Sequence, residues 1–209
     1  MFYLDKRLSV PVLSFFQEHF INIDSTLQFV FQNSEGRAVT EYLSEGLHLI
    51  PSTDGIWLVY KGFPSQVRHL FLSHSATDIL CFCHFNTGWL NSADSVAFAA
   101  LGLIVSSGQI HFLKRLFFNA KFHLLFDEGI TGRVSDCKVA IWLNGKDADF
   151  SANGDDLHIF YNQNKFIIPI QLFSLHRFEK MVGIRSNIRT HKPKRGFNSY
   201  YDMFVYTYP

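Results

Sequence analysis

Hydrophobic and polar positions along the chain change their spacing in three places, which divides it into four zones. In residues 9–20, Ser9 and Pro11 precede spaced apolar residues, a pattern typical of a short capped helix. Residues 24–60 alternate between apolar runs and turn-forming clusters, which predicts short strands over 27–31, 38–43 and 55–60. We therefore expect an N-terminal helix beside a small antiparallel β segment.

The third zone, from about residue 67 to 145, predicts strands that alternate with helices. The strands are expected at 67–73, 96–101 and 122–126, and the helices at 75–85, 109–118 and 132–143. Each strand is apolar almost throughout, as in a mostly parallel sheet that helices cover on both faces. The sequence thus indicates an α/β core.

The last zone, residues 148–209, is mixed. Strands over 157–161 and 166–172 flank a turn and predict a hairpin, and residues 173–182 predict a helix. Between residues 176 and 195, seven Lys and Arg against one Glu give +6, although the whole chain carries only +1. We expect the C-terminal part to be a hairpin followed by a basic tail.

Length and composition fit one globular body with an extension. The 209 residues divide most simply into residues 1–62, with the helix and small β segment, and residues 63–209, with the α/β core; the two could also form one compact unit. A hydrophobic share of 47% against 18% charged residues is enough for a buried core and excludes disorder for most of the chain. The low net charge excludes a protein that coats nucleic acid non-specifically.

The cysteines and the apolar runs indicate a cytoplasmic protein with no membrane partner. Three cysteines, Cys81, Cys83 and Cys137, are too few for a secreted disulfide framework. The apolar stretch 96–105 is about half as long as a membrane-spanning helix requires. The Cys81-Phe82-Cys83-His84 stretch does not have zinc-ligand spacing, so buried side chains are the simpler interpretation.

Candidate chemistry lies where the predicted core strands end. Ligands of an open parallel sheet bind at the carboxyl ends of its strands, and carboxylates there are typical Mg²⁺ ligands. The first core strand leads into residues 74–78 and the third into residues 127–133. Asp78 could instead favour the first turn of a helix, Asp127 and Arg133 could form a local ion pair or a helix cap, and Ser75 is a natural N-cap.

The first of these segments resembles a motif of the topoisomerase-primase (Toprim) family. The motif is a hydrophobic strand that ends in Glu, with Asp four residues later. In Leu-Phe-Leu-Ser-His-Ser-Ala-Thr-Asp, residues 70–78, Asp78 matches the aspartate. His74 stands where the family has its catalytic glutamate.

The second segment, residues 124–133, resembles the next Toprim motif, a strand followed by Asp-x-Asp and then Gly-Arg. Asp127, Gly132 and Arg133 match it, whereas Gly129 replaces the second aspartate. Residues 194–201 are similar to the segment that closes Toprim domains of plasmid primases and mobilisation proteins, and residues 55–58 are similar to a stretch that precedes such domains. The resemblance covers about residues 67–202.

The resemblance implies a Toprim-like fold with a degenerate active site. Family members use the glutamate as general acid or base and the two aspartates to hold Mg²⁺. Of the vestigial positions His74, Asp78, Asp127 and Gly129, Asp127 is the remaining candidate metal ligand, and we expect no cofactor. The resemblance thus favours a catalytically inactive accessory in DNA replication or mobile-element biology that binds nucleic acid, or a replication or mobilisation protein.

The basic segment is the candidate nucleic-acid contact, because cations attract the phosphate backbone and neighbouring aromatic rings stack on bases. The residues concerned are Arg185, Arg189, Lys192, Lys194 and Arg195. Two alternatives remain open. One is a Mg²⁺-dependent nuclease or primase-like enzyme that uses Asp78, Asp127 and Glu128 in a new geometry; the other is a protein-interaction module with no nucleic-acid role.

Overall fold

The N-terminal part of the protein is a small antiparallel sheet preceded by short helices. The computed structural model describes residues 4–208, apart from the side chains of Asp5 and Lys6. The elements are α1 (Leu4–Arg7), α2 (Val10–Phe16), a 3-10 turn (Gln17–His19), β1 (Ile21–Ile23), β2 (Thr26–Gln32), β3 (Ala38–Ser44) and β4 (Leu47–Leu49), and the strands lie in chain order in the sheet. The predicted helix is shorter than expected, because α2 ends at Phe16, where polar residues continue as the 3-10 turn.

Alternation along β2 explains why this sheet packs on the core. Leu27, Phe29 and Phe31 are buried, while the residues between them are partly exposed. The outer face of the sheet is also apolar, with large side chains that are 38–52% exposed: Ile21, Ile23, Tyr42, Leu47 and Leu49.

The centre of the molecule is a mixed, mostly parallel sheet, as the sequence predicts. It contains β5 (Trp57–Tyr60), β6 (His69–Ser73), β7 (Val96–Ala100) and β8 (Lys121–Leu124), of which β6, β7 and β8 are parallel. The connecting helices are α3 (Ala76–Phe85), α4 (Ser107–Leu116) and α5 (Ile130–Leu143), with a 3-10 segment (Thr87–Ser95) after α3.

The strand predicted over 55–60 was expected in the N-terminal sheet, and this expectation is wrong. β5 pairs antiparallel with β7, with Trp57 opposite Ala100, while a bridge between Gln32 and Ile56 joins the two sheets. The pattern of a strand shows which face is buried but not which neighbour it pairs with, so this partner is decided by tertiary packing. The central sheet consequently contains strands from both sides of residue 62.

Both faces of the central sheet are buried, which is why most residues of β5 to β8 are apolar. On one face, Phe71 and Phe98 pack among α2, α3 and the N-terminal sheet. On the other, Leu70 and Leu72 pack against α4 and α5. Every residue of β7 is buried.

The C-terminal part adds a three-stranded antiparallel sheet and a helix. These are β9 (Asp149–Asn153), β10 (Asp156–Tyr161), β11 (Asn164–Pro169) and α6 (Leu175–Val182), with β10 in the middle of the sheet. The predicted hairpin is confirmed, with Asn162 and Gln163 at positive φ in its turn. The sequence analysis missed β9, whose largely polar residues give little strand pattern.

The segment expected as a basic tail is folded onto the central sheet. β12 (Arg189–Thr190) lies parallel to β8 and becomes the edge strand, giving the order β12-β8-β6-β7-β5. The N–H of His191 continues this pairing with a hydrogen bond to the carbonyl of Leu124. α7 (Tyr200–Thr207) then packs against α3. No helix between residues 4 and 208 is long and apolar enough to cross a membrane.

Candidate functional site

The carboxyl ends of β6 and β8 bring His74 and Asp127 together. Nδ1 of His74 lies 3.6 Å from Oδ2 of Asp127, an ion-pair distance, and its Nε2 lies 2.9 Å from Oγ of Ser135 on α5. His74 is buried, and the Asp127 side chain is 27% exposed. Two of the vestigial positions suggested by the sequence therefore meet at one edge of the sheet.

Serine, histidine and aspartate in this order have the connectivity of a hydrolase triad but not its surroundings. Ser135 is buried in the second turn of α5, where backbone N–H groups are committed to helical hydrogen bonds. An acyl-transfer site needs an accessible nucleophile and free N–H donors that stabilise an oxyanion. The arrangement fits a structural hydrogen bond between α5 and β6.

The positive charge at this edge comes from Lys192, which follows β12. Its ammonium donates to Oδ2 of Asp136 at 2.8 Å, and to the carbonyl oxygens of Phe126 at 2.8 Å and Asp127 at 3.0 Å. Carboxylate and carbonyl oxygens are also the ligands that hard divalent cations prefer. Here the ammonium of Lys192 binds these oxygens, so its charge points into the protein and not toward solvent.

Two carboxylates near this lysine have opposite pKa shifts. Burial raises the pKa of Asp136 to about 6, against the opposing effect of Lys192. Burial also disfavours ionisation of Asp127, but His74, Lys192 and the Gly132 N–H outweigh it, and the net effect lowers the pKa of Asp127. Oδ1 of Asp136 is buried without a hydrogen-bond partner among the described residues. Asp127 therefore stays ionised to a lower pH than Asp136.

Asp78 has a different environment. It is 8% exposed, and its Oδ1 accepts a 2.8 Å hydrogen bond from the backbone N–H of Tyr201 in the first turn of α7. Burial raises the pKa of Asp78, and the nearby carboxylate of Glu41 acts in the same direction, against the hydrogen bond from Tyr201. The structure therefore uses Asp78 to join α3 to α7, whereas Asp127 has His74 and Gly132 as partners.

Gly129 and Gly132 of the second motif both lie close to Asp127, which limits the room for a side chain at these positions. Oδ1 of Asp127 accepts from the N–H of Gly132 at 3.2 Å, which caps α5. A Cβ at Gly132 would overlap the carbonyl and carboxylate of Asp127, whereas a Cβ at Gly129 would lie 3.1 Å from its Oδ1. Arg133 instead donates to the carbonyls of Ile170 and Phe173, both at 2.9 Å. Asp127 therefore acts as a cap, and its ion-pair partner is His74.

The residue that sequence reasoning missed is Glu41. Its carboxylate is fully buried at the start of α3, where it accepts hydrogen bonds from the Ser75 and Thr77 hydroxyls at 2.7 and 2.6 Å and from the backbone N–H of Ala76 at 2.8 Å. The N–H of Thr77 at 3.2 Å and Nε2 of His48 at 3.0 Å complete this shell. The available signal was its position on β3, because Glu41 lies two residues before the apolar Leu43 and so points to the same, buried face of the strand.

Most of the candidate nucleic-acid residues lie on or beside the edge strand. Arg189 is in β12, Arg185 precedes it, and Lys194 and Arg195 follow it; all four are exposed. Lys192 differs, because its ammonium is engaged with Asp136. Lys194 and Arg195 also line an open depression together with Glu128, Phe197 and Asn198.

The cysteines are buried and unpaired by disulfides, and burial raises the pKa of all three thiols. Nδ1 of His84 accepts a hydrogen bond from the N–H of Ser9, and its Nε2 is hydrogen-bonded to the hydroxyl of Tyr208, both at 3.0 Å. Across residues 4–208, side chains of Asp5 and Lys6 excepted, no group of three or more His, Cys, Asp or Glu is arranged to hold a metal ion.

Comparison with known proteins gives no relative: no family model, no curated protein and no solved structure matches the chain.

Proposed function

We propose that this chain is a catalytically inactive, Toprim-like accessory of DNA replication or mobile-element biology that binds nucleic acid along the open edge of its central sheet. The observation that carries the proposal is a group of four exposed cations, one on β12 and three in the segments on either side of it: Arg185, Arg189, Lys194 and Arg195. An edge strand leaves one side of the sheet open, and cations along it can follow a phosphate backbone. Phe197 beside Lys194 and Arg195 adds a ring on which a base can stack.

The lack of family-type catalysis follows from how the carboxylates are used. Asp78 accepts a hydrogen bond from α7, Asp136 pairs with Lys192, and Asp127 caps α5. A Mg²⁺ ion is held by one or two free carboxylates, keeps several waters and dehydrates reluctantly. Converting this edge into a metal site would first require displacing the Lys192 ammonium.

The test of nucleic-acid binding is its salt dependence. We expect wild-type protein to bind single-stranded DNA or RNA, and the triple variant Arg189→Gln, Lys194→Gln, Arg195→Gln to lose affinity and to lower the slope of log K against log salt by about 2 to 3. Arg115, Lys146 and Lys165 are exposed elsewhere, so replacing these three by Gln is the charge-matched control. Equal slopes for the two triple variants would overturn the proposal.

The catalytic alternative is tested by calorimetric titration with Mg²⁺ and Mn²⁺. We expect no saturable binding at neutral pH and low salt. Saturable binding that Asp127→Ala abolishes would contradict the non-catalytic part of the proposal and support a phosphoryl-transfer enzyme.

The outer face of the N-terminal sheet favours a second candidate, a protein-interaction module. Ile23 and Leu49 are 51% and 52% exposed, and Ile21 and Tyr42 lie on the same face. A replication or mobilisation protein bound to this face would be held by apolar contact, whose strength changes little with salt. Ile23→Ser with Leu49→Ser should weaken such a complex and leave DNA binding unchanged.

A further inference from the structure

Three histidines from adjacent parallel strands form a hydrogen-bonded row on one face of the central sheet. Nδ1 of His69 on β6 lies 3.0 Å from Nε2 of His123 on β8, and Nδ1 of His123 lies 2.8 Å from Nε2 of His191 after β12. His123 is fully buried, whereas His69 and His191 are partly exposed. The row thus runs from one accessible ring through a buried ring to another accessible ring.

The number of protons on the three rings decides whether each outer nitrogen is an N–H donor or a bare acceptor. Each imidazole has two ring nitrogens, and a neutral ring has one N–H. Each of the two hydrogen bonds uses one N–H and one bare nitrogen, so the neutral row keeps one N–H and one bare nitrogen at its outer positions, Nε2 of His69 and Nδ1 of His191. One added proton turns the bare outer nitrogen into a second N–H donor without breaking either hydrogen bond.

The charged groups around the row are cations. In the strand register, Lys121 lies opposite His69 and Arg189 lies opposite His123, and both cations are exposed. Arg68, exposed beside His69, adds a third positive charge at the same end of the sheet. Within residues 4–208, no ion pair joins these three side chains to a carboxylate.

The row also packs against uncharged aromatic rings. Trp89 lies 5.1 Å from His69 and 5.3 Å from His123 between ring centroids, Phe71 stacks on His123 at 4.5 Å, and Phe82 of α3 contacts His191 at 5.6 Å. Burial lowers the pKa of all three histidines, that of His123 to about 3, and Lys121 or Arg189 acts in the same direction on each. An anion that approached would reverse the effect of these cations.

We propose that Lys121, Arg189 and the His69-His123-His191 row form a phosphate-binding site in which binding is coupled to uptake of a proton by the row. The ligand is a phosphate group of the nucleic-acid backbone, so the inference rests on the proposed function and adds its regulation by pH. In the free site, burial and, to a smaller extent, the neighbouring cations disfavour a proton on the row. A bound phosphate neutralises the repulsion by these cations and accepts a hydrogen bond from the outer N–H of the ring at which it binds.

Linkage gives the sign of the pH dependence. The complex holds more protons than the free protein, so affinity increases as pH falls. Single-stranded oligothymidylate of roughly 20 nucleotides is a suitable probe, because its bases do not titrate in this range and it presents an accessible backbone. At constant low ionic strength we expect at least about fivefold tighter binding at about pH 5.5 than at about pH 7.5.

The decisive variant is His69→Gln with His191→Gln, because Gln keeps a donor and an acceptor but does not titrate. The ratio of affinities at the two pH values should then fall to about one. His158→Gln with His176→Gln is the matched control, since these histidines lie on β10 and α6, and it should keep the wild-type ratio. A ratio in the His69 and His191 variant that equals the wild-type ratio would overturn the inference.

A measurement on wild-type protein makes the test independent of how the variant folds. Calorimetric titration with the same oligonucleotide in two buffers of different ionisation enthalpy counts the protons taken up, and we expect about one near pH 6.5. Uptake of no proton, with binding intact, contradicts the coupled site and leaves the proposed function standing. No binding of the oligonucleotide at either pH contradicts the proposed function itself.

Discussion

Two helices, α3 and α5, begin at the same edge of the central sheet, and each has a carboxylate at its N-terminus. At α3 the carboxylate is Glu41, which comes from β3 of the N-terminal sheet and is fully buried among five donors. At α5 it is Asp127, which comes from the loop before the helix and is 27% exposed.

Glu41 joins two sheets inside the protein, whereas Asp127 lies at an edge of the central sheet that solvent reaches. A helix N-terminus favours an anion in either case. When that anion is supplied by a distant strand and sealed from water, it fixes one sheet to the other. When it is supplied locally and remains partly exposed, as Asp127 does, the carboxylate itself stays in contact with solvent.

The largest expected effect comes from removing the buried anion of α3. Glu41→Ala leaves two hydroxyls and two backbone N–H groups without their acceptor in a buried site, and should lower the free energy of unfolding by about 3–5 kcal/mol. Urea unfolding monitored by circular dichroism measures this. Glu35→Ala, which breaks the exposed ion pair with Arg37, is the control and should cost less than about 1 kcal/mol. Equal losses of unfolding free energy in the two variants would show that the buried contacts of Glu41 do not hold the N-terminal sheet to α3.

Breaking the lysine contact at the second edge should have a smaller, pH-dependent effect. Lys192→Met leaves Asp136 buried without its cation and should cost about 3 kcal/mol at pH above 7. Asp136 has a folded pKa of about 6, above its ordinary 3.8, so its protonation stabilises the folded protein at low pH and this contribution is lost as pH rises through 6. Without Lys192 the pKa of Asp136 rises further.

The deficit of Lys192→Met should therefore be smaller at about pH 5 than at about pH 8, in urea unfolding at both values. Lys194→Met removes an exposed lysine two residues away and should show no such difference. A deficit that is the same at both pH values would mean that lost packing, and not the unpaired Asp136, explains the destabilisation.

Gly129, just before α5, and Gly132, in its first turn, provide a second test of the contact between Asp127 and the helix. Gly132→Ala forces a methyl group into Asp127 and should cost about 2–3 kcal/mol. Gly129→Ala meets Oδ1 of Asp127 at 3.1 Å and Oδ1 of Asn198 at 3.6 Å, and should cost less than about 1 kcal/mol. Thermal unfolding of the pair measures the difference. A larger loss of stability for Gly129→Ala than for Gly132→Ala would show that Asp127 does not lie in close contact with Gly132.

The smallest effect is expected at Asp78. Asp78→Asn keeps an oxygen acceptor for the Tyr201 N–H and removes a buried carboxylate whose pKa is raised by burial, so stability should change by less than about 1 kcal/mol. Because the folded pKa of Asp78 is raised, wild-type protein should lose stability relative to the Asn variant as pH increases. Asp78→Ala, which leaves the N–H unpaired, should cost about 1–3 kcal/mol. Similar losses for Asn and Ala would show that this hydrogen bond contributes little.

Local pattern was enough to predict most elements of the core. The apolar runs before His74 and Asp127 become β6 and β8, and the Ser75 hydroxyl accepts from the Asp78 N–H at 3.2 Å as the N-cap of α3. Capping and alternation depend on neighbours within a few residues, which a sequence displays directly. The α7 helix carried a similar signal, Ser199 three residues before Asp202, but the basic residues before it suggested a tail.

The pairing of distant residues could not be predicted in this way. Glu41 and Ser75 are 34 positions apart, and Tyr201 and Asp78 are 123 apart. Nothing local to Asp78 shows that α7 will lie over it, and nothing local to Lys192 shows that its ammonium will turn toward Asp136. For the same reason a basic segment looks alike whether its cations face solvent or a buried carboxylate.

The sequence by itself determined the α/β class, the parallel core strands and the placement of His74 and Asp127 at strand ends, because hydrophobic periodicity and cap residues act over short distances. Tertiary structure decided the partner of β5, the burial of Glu41, the inward charge of Lys192 and the alignment of His69, His123 and His191. Each of these depends on which strands become neighbours. That choice is set by the packing of the whole chain, since burying a charge or a ring requires a surface that no single segment contains.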